Sequence, residues 1–431
     1  MVAKVGAGRK IMNQKVIDTL EVVLKITERC NINCTYCYMF NKGNTDYLAH
    51  PPYIGEETLQ AVATWVAQAI STHQIRSVTM IFHGGEPMMM KRARFDAMCA
   101  MFRAQLGDKT ILRLAMQTNA ILIDEEWIHI FAKHQVAIGI SLDGPKDFND
   151  LARVDHKGEG TYDAVVAGLR TLQRAHAHDL VQAPGAICVI NPLADGRRIY
   201  RHLVDELGLS YLSFLIPMNS HDDDNAGLAE GMERYMLDIF DEWCKDNNPN
   251  INIRLFNHFL RFLGRTALDE TGEMLTGFNS VIVAVASNGD ISINDDFKSI
   301  HFGQNIGNVS NMSLTEFLAA PASTVMTEVW NTVPTECDAC MWVGYCRGGA
   351  QHQVASNRFS AKNGFNNKSI FCNALKSIYS NLAAYLVAQG LSEERLIDIL
   401  YVGRESIRAG TVHFADAKGP QRVIPVVRAT M

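Results

Sequence analysis

Glu21-Val22-Val23-Leu24-Lys25-Ile26-Thr27-Glu28-Arg29-Cys30-Asn31-Ile32-Asn33-Cys34-Thr35-Tyr36-Cys37 is the stretch from which the rest of the chain can be read. Val22–Ile26 is an apolar, mostly β-branched run, which predicts a strand. It leads straight into a loop whose cysteines are spaced C-x3-C-x2-C. Clustered cysteines in a chain without secretory features are more often metal ligands than disulfide partners. This loop is short enough to wrap one iron–sulfur cubane. Complete clusters usually take four thiolates, so three thiolates for four irons leave one iron open to a small chelating molecule. The alternative is a zinc site with a fourth ligand from elsewhere. Its expected zinc-ribbon spacing differs from this loop at the end of a first strand.

Outward from this loop, short apolar runs alternate with helix-length amphipathic segments as far as Ile216. The strands are expected at Val22–Ile26, Val78–Phe82, Leu114–Gln117, Ala137–Ser141, Ala186–Ile190 and Leu212–Ile216. Helices are expected at Glu56–Ile70, Lys91–Gln105, Glu125–Lys133, Tyr162–Ala175 and Gly196–Leu207. That alternation predicts βαβ units around a parallel sheet. Six units make a barrel or most of one, with the chemistry at the C-terminal ends of the strands. Polar motifs occur at those ends. Gly84-Gly85-Glu86-Pro87 follows the second strand; its glycines permit close backbone approach to a ligand, and Glu86 can accept from an ammonium group. Gln117-Thr118-Asn119 ends the third strand and Ser141-Leu142-Asp143-Gly144-Pro145 the fourth.

Composition narrows the function classes. The chain has 431 residues, 47% of them apolar and 20% charged, with a net charge of −6. That is the balance of a globular protein able to bury a sizeable core, without the basic footprint of a nucleic-acid binder. The longest strongly apolar run, Val281–Ala286, is far too short to span a bilayer. Met1–Lys15 is basic with no apolar run behind it, unlike a signal peptide. The expectation is a cytoplasmic protein with no nucleic-acid or membrane partner.

The cysteine loop and the motifs behind it resemble the radical S-adenosylmethionine (SAM) superfamily, over roughly Leu20 to Ile216. The resemblance implies that Cys30, Cys34 and Cys37 hold a [4Fe-4S] cluster whose open iron binds SAM. The reduced cluster then cleaves SAM to a 5′-deoxyadenosyl radical, which abstracts hydrogen from a C–H bond. Gly84, Gly85 and Glu86 match the family element that binds the SAM amino group. Gln117, Asn119 and Ser141 resemble its polar contacts to the ribose and carboxylate. Arg153, ahead of Gly158-Glu159-Gly160-Thr161, looks like its carboxylate-binding arginine. Tyr36 is the aromatic whose backbone would meet adenine, and Ile190 and Leu215 would sandwich the ring.

Beyond His221–Asn225, an acidic polar loop, a helical region runs from about Glu230 to Ala267. After Gly277 the pattern changes: Val281–Ala286, a turn at Asn288-Gly289-Asp290, then Ile291–Ile293 read as a hairpin. Cys337-x2-Cys340-x5-Cys346 and a distant Cys372 follow. By spacing alone this set reads as a structural zinc knuckle. In context it resembles the SPASM domain, which binds two auxiliary [4Fe-4S] clusters behind radical SAM barrels. The ligands for the inner of those clusters are missing. The expected cysteine after Gly289 is Asn294, none precedes Gly289 within reach, and the position after Cys346 holds Ala350. Cys337, Cys340, Cys346 and Cys372 are the full outer set, so one auxiliary cluster is implied. Asp295 matches the catalytic base of the related sulfatase-maturing enzymes, with Asp296 beside it; the alternative for both is a pair of ordinary turn acids.

The expected fold is therefore α/β: a partial (β/α)6 TIM-type barrel and a smaller cysteine-rich α+β domain. The divisions are an extension at 1–20, the barrel at 21–220, a helical linker at 221–275, the SPASM-like domain at 276–385 and a tail at 386–431. Cys-Thr-Tyr-Cys-Tyr-Met-Phe-Asn-Lys-Gly-Asn, from Cys34, resembles maturases that form cyclophane crosslinks in ribosomally made peptides. The implied partners are a precursor peptide with a leader and an electron donor of flavodoxin or ferredoxin type. Sulfatase maturation and peptide epimerisation, for which Cys188 or Cys244 would be the hydrogen donor, are the rival reactions. A different class of role is a C-terminal peptide-binding module built on a structural metal.

Overall fold

The computed structural model describes residues 17–265, 280–293, 295, 305–331, 333–352 and 355–408. Strands form where the β-branched runs lie: β1 (Thr19–Thr27), β2 (Ser77–Gly84), β3 (Ile111–Thr118), β4 (Val136–Ser141), β5 (Gly185–Val189) and β6 (Tyr211–Leu215). They pair in that order, all parallel. The crossovers are α1 (Glu56–His73), α2 (Arg92–Leu106), α3 (Glu125–His134), α4 (Lys146–Ala152), α5 (Tyr162–Ala177) and α6 (Gly196–Arg201). Local chemistry sets their ends. Asp124 caps α3 by accepting from the Trp127 N–H, and Gln135 stops it in the left-handed conformation. The helix expected to run to Leu207 instead widens into a π-turn at His202–Glu206.

Successive strand residues point to opposite faces of the sheet. Leu20, Val22, Leu24 and Ile26 of β1 are fully buried, as are Val78, Met80 and Phe82 of β2. The alternate set, including Val23, Ile81, Gln117, Ser141, Val189 and Leu215, is only half-buried. One face is thus packed into the apolar core, while the other, concave face is partly accessible, with Lys25 and Thr27 of β1 as buried exceptions.

The sheet extends past both ends of the expected six strands. β7 (Asn252–Ile253) joins β6, and β8 (Ser280–Val285) lies parallel to β1, with Thr19 opposite Ser280 and Leu24 opposite Val285. β9 (Asp290–Ser292) and β10 (Gly307–Asn308) follow antiparallel, giving ten strands in the order β10-β9-β8-β1-β2-β3-β4-β5-β6-β7. The expected hairpin forms, with Gly289 at φ 91° in its turn. It opens as an extension of the barrel sheet, because the apolar run of β8 takes the remaining hydrogen-bonding edge of β1.

The helical region after residue 225 is two helices, α7 (Leu228–Asp246) and α8 (Arg254–Arg265). Asn247, in the left-handed conformation, ends the first, and Asn248-Pro249 follows it. The C-terminal part holds α9 (Leu314–Ala319), α10 (Pro321–Asn331), α11 (Val343–Cys346), α12 (Cys372–Ala388) and α13 (Glu393–Arg408). Stacked rings of Phe259 and Tyr379, 5.5 Å apart, tie α8 to α12, and Tyr345 meets both edge-on. No helix among the described residues is long and apolar enough to cross a membrane.

Candidate active site

At the end of β1 the chain turns into the cysteine loop, which is held by backbone on two sides. On one side the Asn33 and Thr35 N–H groups donate to the carbonyls of Val154 and Ala152, at 2.8 and 2.9 Å. On the other, the Gly85 N–H donates to the Thr27 carbonyl (3.0 Å) and the Glu86 N–H to the Arg29 carbonyl (2.8 Å). A Cβ on Gly84 would sit 2.0 Å from the Thr27 carbonyl oxygen, and one on Gly85 2.1 Å from that of Arg29. The glycine pair therefore lets the end of β2 approach the cysteine loop's own backbone closely. Cys34 is buried, and Cys30 and Cys37 are half-buried. Burial pushes the Cys30 thiol up to about 12, with the backbone N–H of Ile32 easing it and the Glu86 carboxylate adding to the rise. Burial also raises Cys34 and Cys37.

Around this loop the strand ends supply a polar rim. Glu86 is 1% exposed. Its Oε1 accepts from the Met88 N–H (3.0 Å) and the Thr118 hydroxyl (2.7 Å), and its Oε2 from the Asn119 N–H (2.8 Å). Burial still raises its carboxyl above the usual range. The Asn119 amide donates to Asn31 Oδ1 (2.7 Å), and Gln117 Nε2 donates to the Ser141 hydroxyl (2.8 Å). Tyr36 engages through its side chain. Its hydroxyl donates to Asp143 Oδ2 at 2.6 Å and accepts from Arg153 Nη1 at 2.9 Å. Asp143 Oδ1 in turn accepts from the Val189 N–H (2.9 Å), linking the loop to the end of β5. Burial raises the Asp143 carboxyl, and Arg153 opposes that rise. The sequence does not single out Asp143, because its partner Tyr36 lies 107 residues away.

Two expected adenine contacts part company here. Leu215 lies on the half-buried concave face of β6. Ile190 is 2% exposed and belongs to the apolar core, continuing the outward parity of Ala186 and Cys188. Val189, one residue earlier, is the β5 residue on the concave face. Cys188 is buried against the Tyr235 hydroxyl (3.3 Å), and burial raises its thiol strongly, so packing rather than hydrogen donation explains it.

Asp295 sits 7% exposed just beyond β9. Its Oδ2 accepts from the Lys25 ammonium and from the Tyr38 hydroxyl at 3.0 Å. Lys25, 1% exposed, also meets His83 Nδ1 at 3.0 Å and donates to Tyr38 Oη at 3.3 Å. The turn-acid reading does not account for a buried carboxylate paired with a buried lysine. Asn294 and Asp296 lie outside the described residues, as does the side chain of Ala350. Lys25, Tyr38 and His83 were missed in the sequence. A single lysine in an apolar run was the available signal.

The second cysteine group also converges. Cys337, Cys340, Cys346 and Cys372 line one cavity with Trp342, Val343, Gly348, Ser369 and Lys376. Burial pushes the Cys337 thiol up to about 11 and Cys346 up to about 12, and the Tyr379 hydroxyl eases the latter. Arg358, 1% exposed, spans this region by donating to the carbonyls of Val329 (2.8 Å) and Phe365 (2.9 Å). Among the described residues no three His, Cys, Asp or Glu side chains gather closely enough to ligate a single metal ion.

Residues 24–187 match the model of the Radical SAM superfamily. The chain carries a radical SAM domain. It is 25% identical over 380 residues to the serine-type anaerobic sulfatase-maturating enzyme of Bacteroides thetaiotaomicron, spanning 83% of this chain and 87% of that protein. It is 22% identical to the cysteine-type anaerobic sulfatase-maturating enzyme of Clostridium perfringens, spanning 77% of this chain and 88% of that protein. The structure of native anSMEcpe with bound AdoMet superposes with a TM-score of 0.71 at 20% identity, covering 86% of this chain and 98% of that one, which shows a common fold.

A radical SAM enzyme uses S-adenosylmethionine and [4Fe-4S] clusters, and the residues present fit both. Two groups of cysteines are available as thiolate ligands, Cys30, Cys34 and Cys37 on one loop and Cys337, Cys340, Cys346 and Cys372 around one cavity. Beside the first group, Arg153 Nε is buried with no hydrogen-bond partner. It can serve a carboxylate, as the buried Glu86 can serve an ammonium group. Those are the two charged ends of an amino acid.

Proposed function

We propose that this radical SAM enzyme modifies a ribosomally made peptide by a net two-electron oxidation, joining two side chains through a carbon–carbon bond. The observation that carries the reading is the buried Asp295 carboxylate, held on the concave face through Tyr38, the residue after Cys37. When bound, SAM and the reduced cluster supply the radical that removes hydrogen from the peptide. Cys30, Cys34 and Cys37 hold that cluster, Glu86 and Arg153 orient the amino acid end of SAM, and Gln117, Asn119 and Ser141 meet its polar groups. Asp295 accepts the proton released as the new bond forms. Cys337, Cys340, Cys346 and Cys372 would hold an auxiliary cluster, which would supply an acceptor for the remaining electron. A donor of flavodoxin or ferredoxin type restores the first cluster. Strand addition of a leader peptide has little edge to use among the described residues, since the outermost strands β10 and β7 are two residues each.

A second reading, oxidation of a Cys or Ser to formylglycine, is favoured by the sulfatase-maturating relatives. Co-expression with a small peptide gene beside it separates the two. A peptide lighter by two hydrogen atoms and unreactive toward an aminooxy probe supports the crosslink. A product labelled by that probe carries an aldehyde and supports formylglycine. Unchanged mass with deuterium gained in heavy water contradicts both oxidations.

A further inference from the structure

Lys25 has a chemistry that its place in the fold does not require. It occupies the concave face of β1, in register with His83 of β2. Its neighbours on the opposite face, Leu24 and Ile26, are fully buried apolar residues. Burying an ammonium group is costly unless an anion and hydrogen-bond acceptors compensate it. Here four segments converge to do so: β1 gives Lys25, β2 gives His83, the cysteine loop gives Tyr38 and the chain after β9 gives Asp295. The charge of Lys25 is also felt at Cys37, where it eases the rise in the thiol caused by burial. Lys25 thus stands between the carboxylate and the cluster loop.

The hairpin does not depend on this contact for its position. β8 is paired to β1 over six residues. The Ser287 N–H donates to Glu28 Oε1 (3.3 Å) and its hydroxyl to the Pro51 carbonyl (2.7 Å). His50 Nδ1 lies 3.3 Å from the same Glu28 oxygen. What Lys25 fixes is the side chain of Asp295. A buried ion pair, with Tyr38 donating to the same carboxylate oxygen, restricts a carboxylate far more than backbone anchoring does.

We infer that Lys25 is a positioning residue of the reaction: it holds the Asp295 carboxylate against the substrate and locks it to the cysteine loop through Tyr38. The inference rests on Asp295 being the proton acceptor. In the step concerned, the peptide radical has already lost a hydrogen atom to the 5′-deoxyadenosyl radical. Bond formation then releases one proton, which Asp295 accepts, and one electron, for which the auxiliary cluster that Cys337, Cys340, Cys346 and Cys372 would hold is the acceptor. Without a correctly placed acceptor, the peptide radical is quenched by an electron from the flavodoxin- or ferredoxin-type donor and a proton from water, and SAM is consumed without product.

The test uses the anaerobic, iron-loaded full chain with its peptide, comparing K25M, K25R, D295N and K25M/D295N. The readouts are product formed per 5′-deoxyadenosine, iron content, and the electron paramagnetic resonance spectrum of the reduced first cluster with and without SAM. K25M is expected to keep its iron, spectrum and SAM cleavage, while product per 5′-deoxyadenosine falls about 100-fold, the worth of a placed general base. K25R keeps the charge and should recover coupling to within about tenfold of the wild type. The double variant should be no worse than D295N, because both changes remove one function. Unchanged coupling in K25M overturns the inference, and so do additive losses in the double variant. Loss of the first cluster in K25M also overturns it, since Lys25 would then be a scaffold residue of the loop. Full coupling in D295N instead removes Asp295 as the acceptor, a separate failure of the reading beneath.

Discussion

Gly85→Ala isolates the contact that sets the cysteine loop on the barrel. The added Cβ would lie 2.1 Å from the Arg29 carbonyl oxygen and 2.8 Å from the Cys30 nitrogen, where ordinary contact begins at 3.4 Å. Both obstacles are backbone, so no side chain can rotate away. Overpacking of this kind costs about 1–3 kcal/mol, and the upper end applies where main chain must move. Displacing Arg29 also breaks the Glu86 N–H to Arg29 carbonyl bond, 2.8 Å long, worth about 1 kcal/mol. The total is about 4 kcal/mol, or about 8 °C in Tm at about 2 °C per kcal/mol for a chain of this size. Gly158→Ala is the control: a Cβ there meets nothing within 4 Å, though φ is +85°, so only the left-handed backbone cost of about 1 kcal/mol applies. The assay is a thermal melt with iron analysis after anaerobic reconstitution. G85A should lose the first cluster and SAM cleavage while keeping about four irons at the auxiliary site. A G85A protein that melts with G158A and keeps both clusters would refute the reasoning.

Three further perturbations probe the sites separately. C337A/C340A should reduce bound iron from about eight to about four per chain and leave SAM cleavage intact; loss of cleavage, followed as 5′-deoxyadenosine, would show that the two cysteine groups are not independent sites. R153K keeps the charge but loses the planar fork and the Nε donor, so the Kd for SAM should rise about tenfold; equilibrium binding at unchanged affinity would contradict the assignment. In the cluster-free protein, burial lifts Cys337 to about 11 and Cys30 to about 12 from an ordinary 9.0. The unfolded chain then releases protons that the folded chain keeps, so stability is full below pH 9 and falls as pH rises through 11 to 12. Melts of the cluster-free protein across that window should show the decline, and a flat profile would mean the thiols are not desolvated.

Much of the barrel was legible because each element carries its own local signal. The β-branched runs mark the strands, Asp124 caps α3 from one side chain, and Asn288-Gly289-Asp290 turns the hairpin wherever it stands. Strand order carries no such signal. Nothing in Val281–Ala286 says that it pairs with β1, so the extension of the sheet beyond the six barrel strands was not readable. The break between α7 and α8 does carry a local signal, at Asn247-Asn248-Pro249. Site residues divide the same way. Cysteine spacing announces its ligands, whereas Tyr36, Asp143 and Arg153 meet across more than a hundred residues and act through side chains whose partners only the fold supplies. Ile190 shows the limit of strand parity, because one residue at a strand end decides between core and cleft. Lys25 was hidden for a simpler reason: a lone lysine in a strand reads as a solvent-facing residue until its anion is found.

The central claim is that Cys30, Cys34 and Cys37 hold the cluster that cleaves SAM. Its most direct test is to reduce the anaerobically reconstituted protein in the presence of SAM and measure 5′-deoxyadenosine and methionine. The wild type should form both in equal amounts, and C30A/C34A/C37A should form neither while retaining its auxiliary iron. Cleavage that persists in the triple variant would contradict the account.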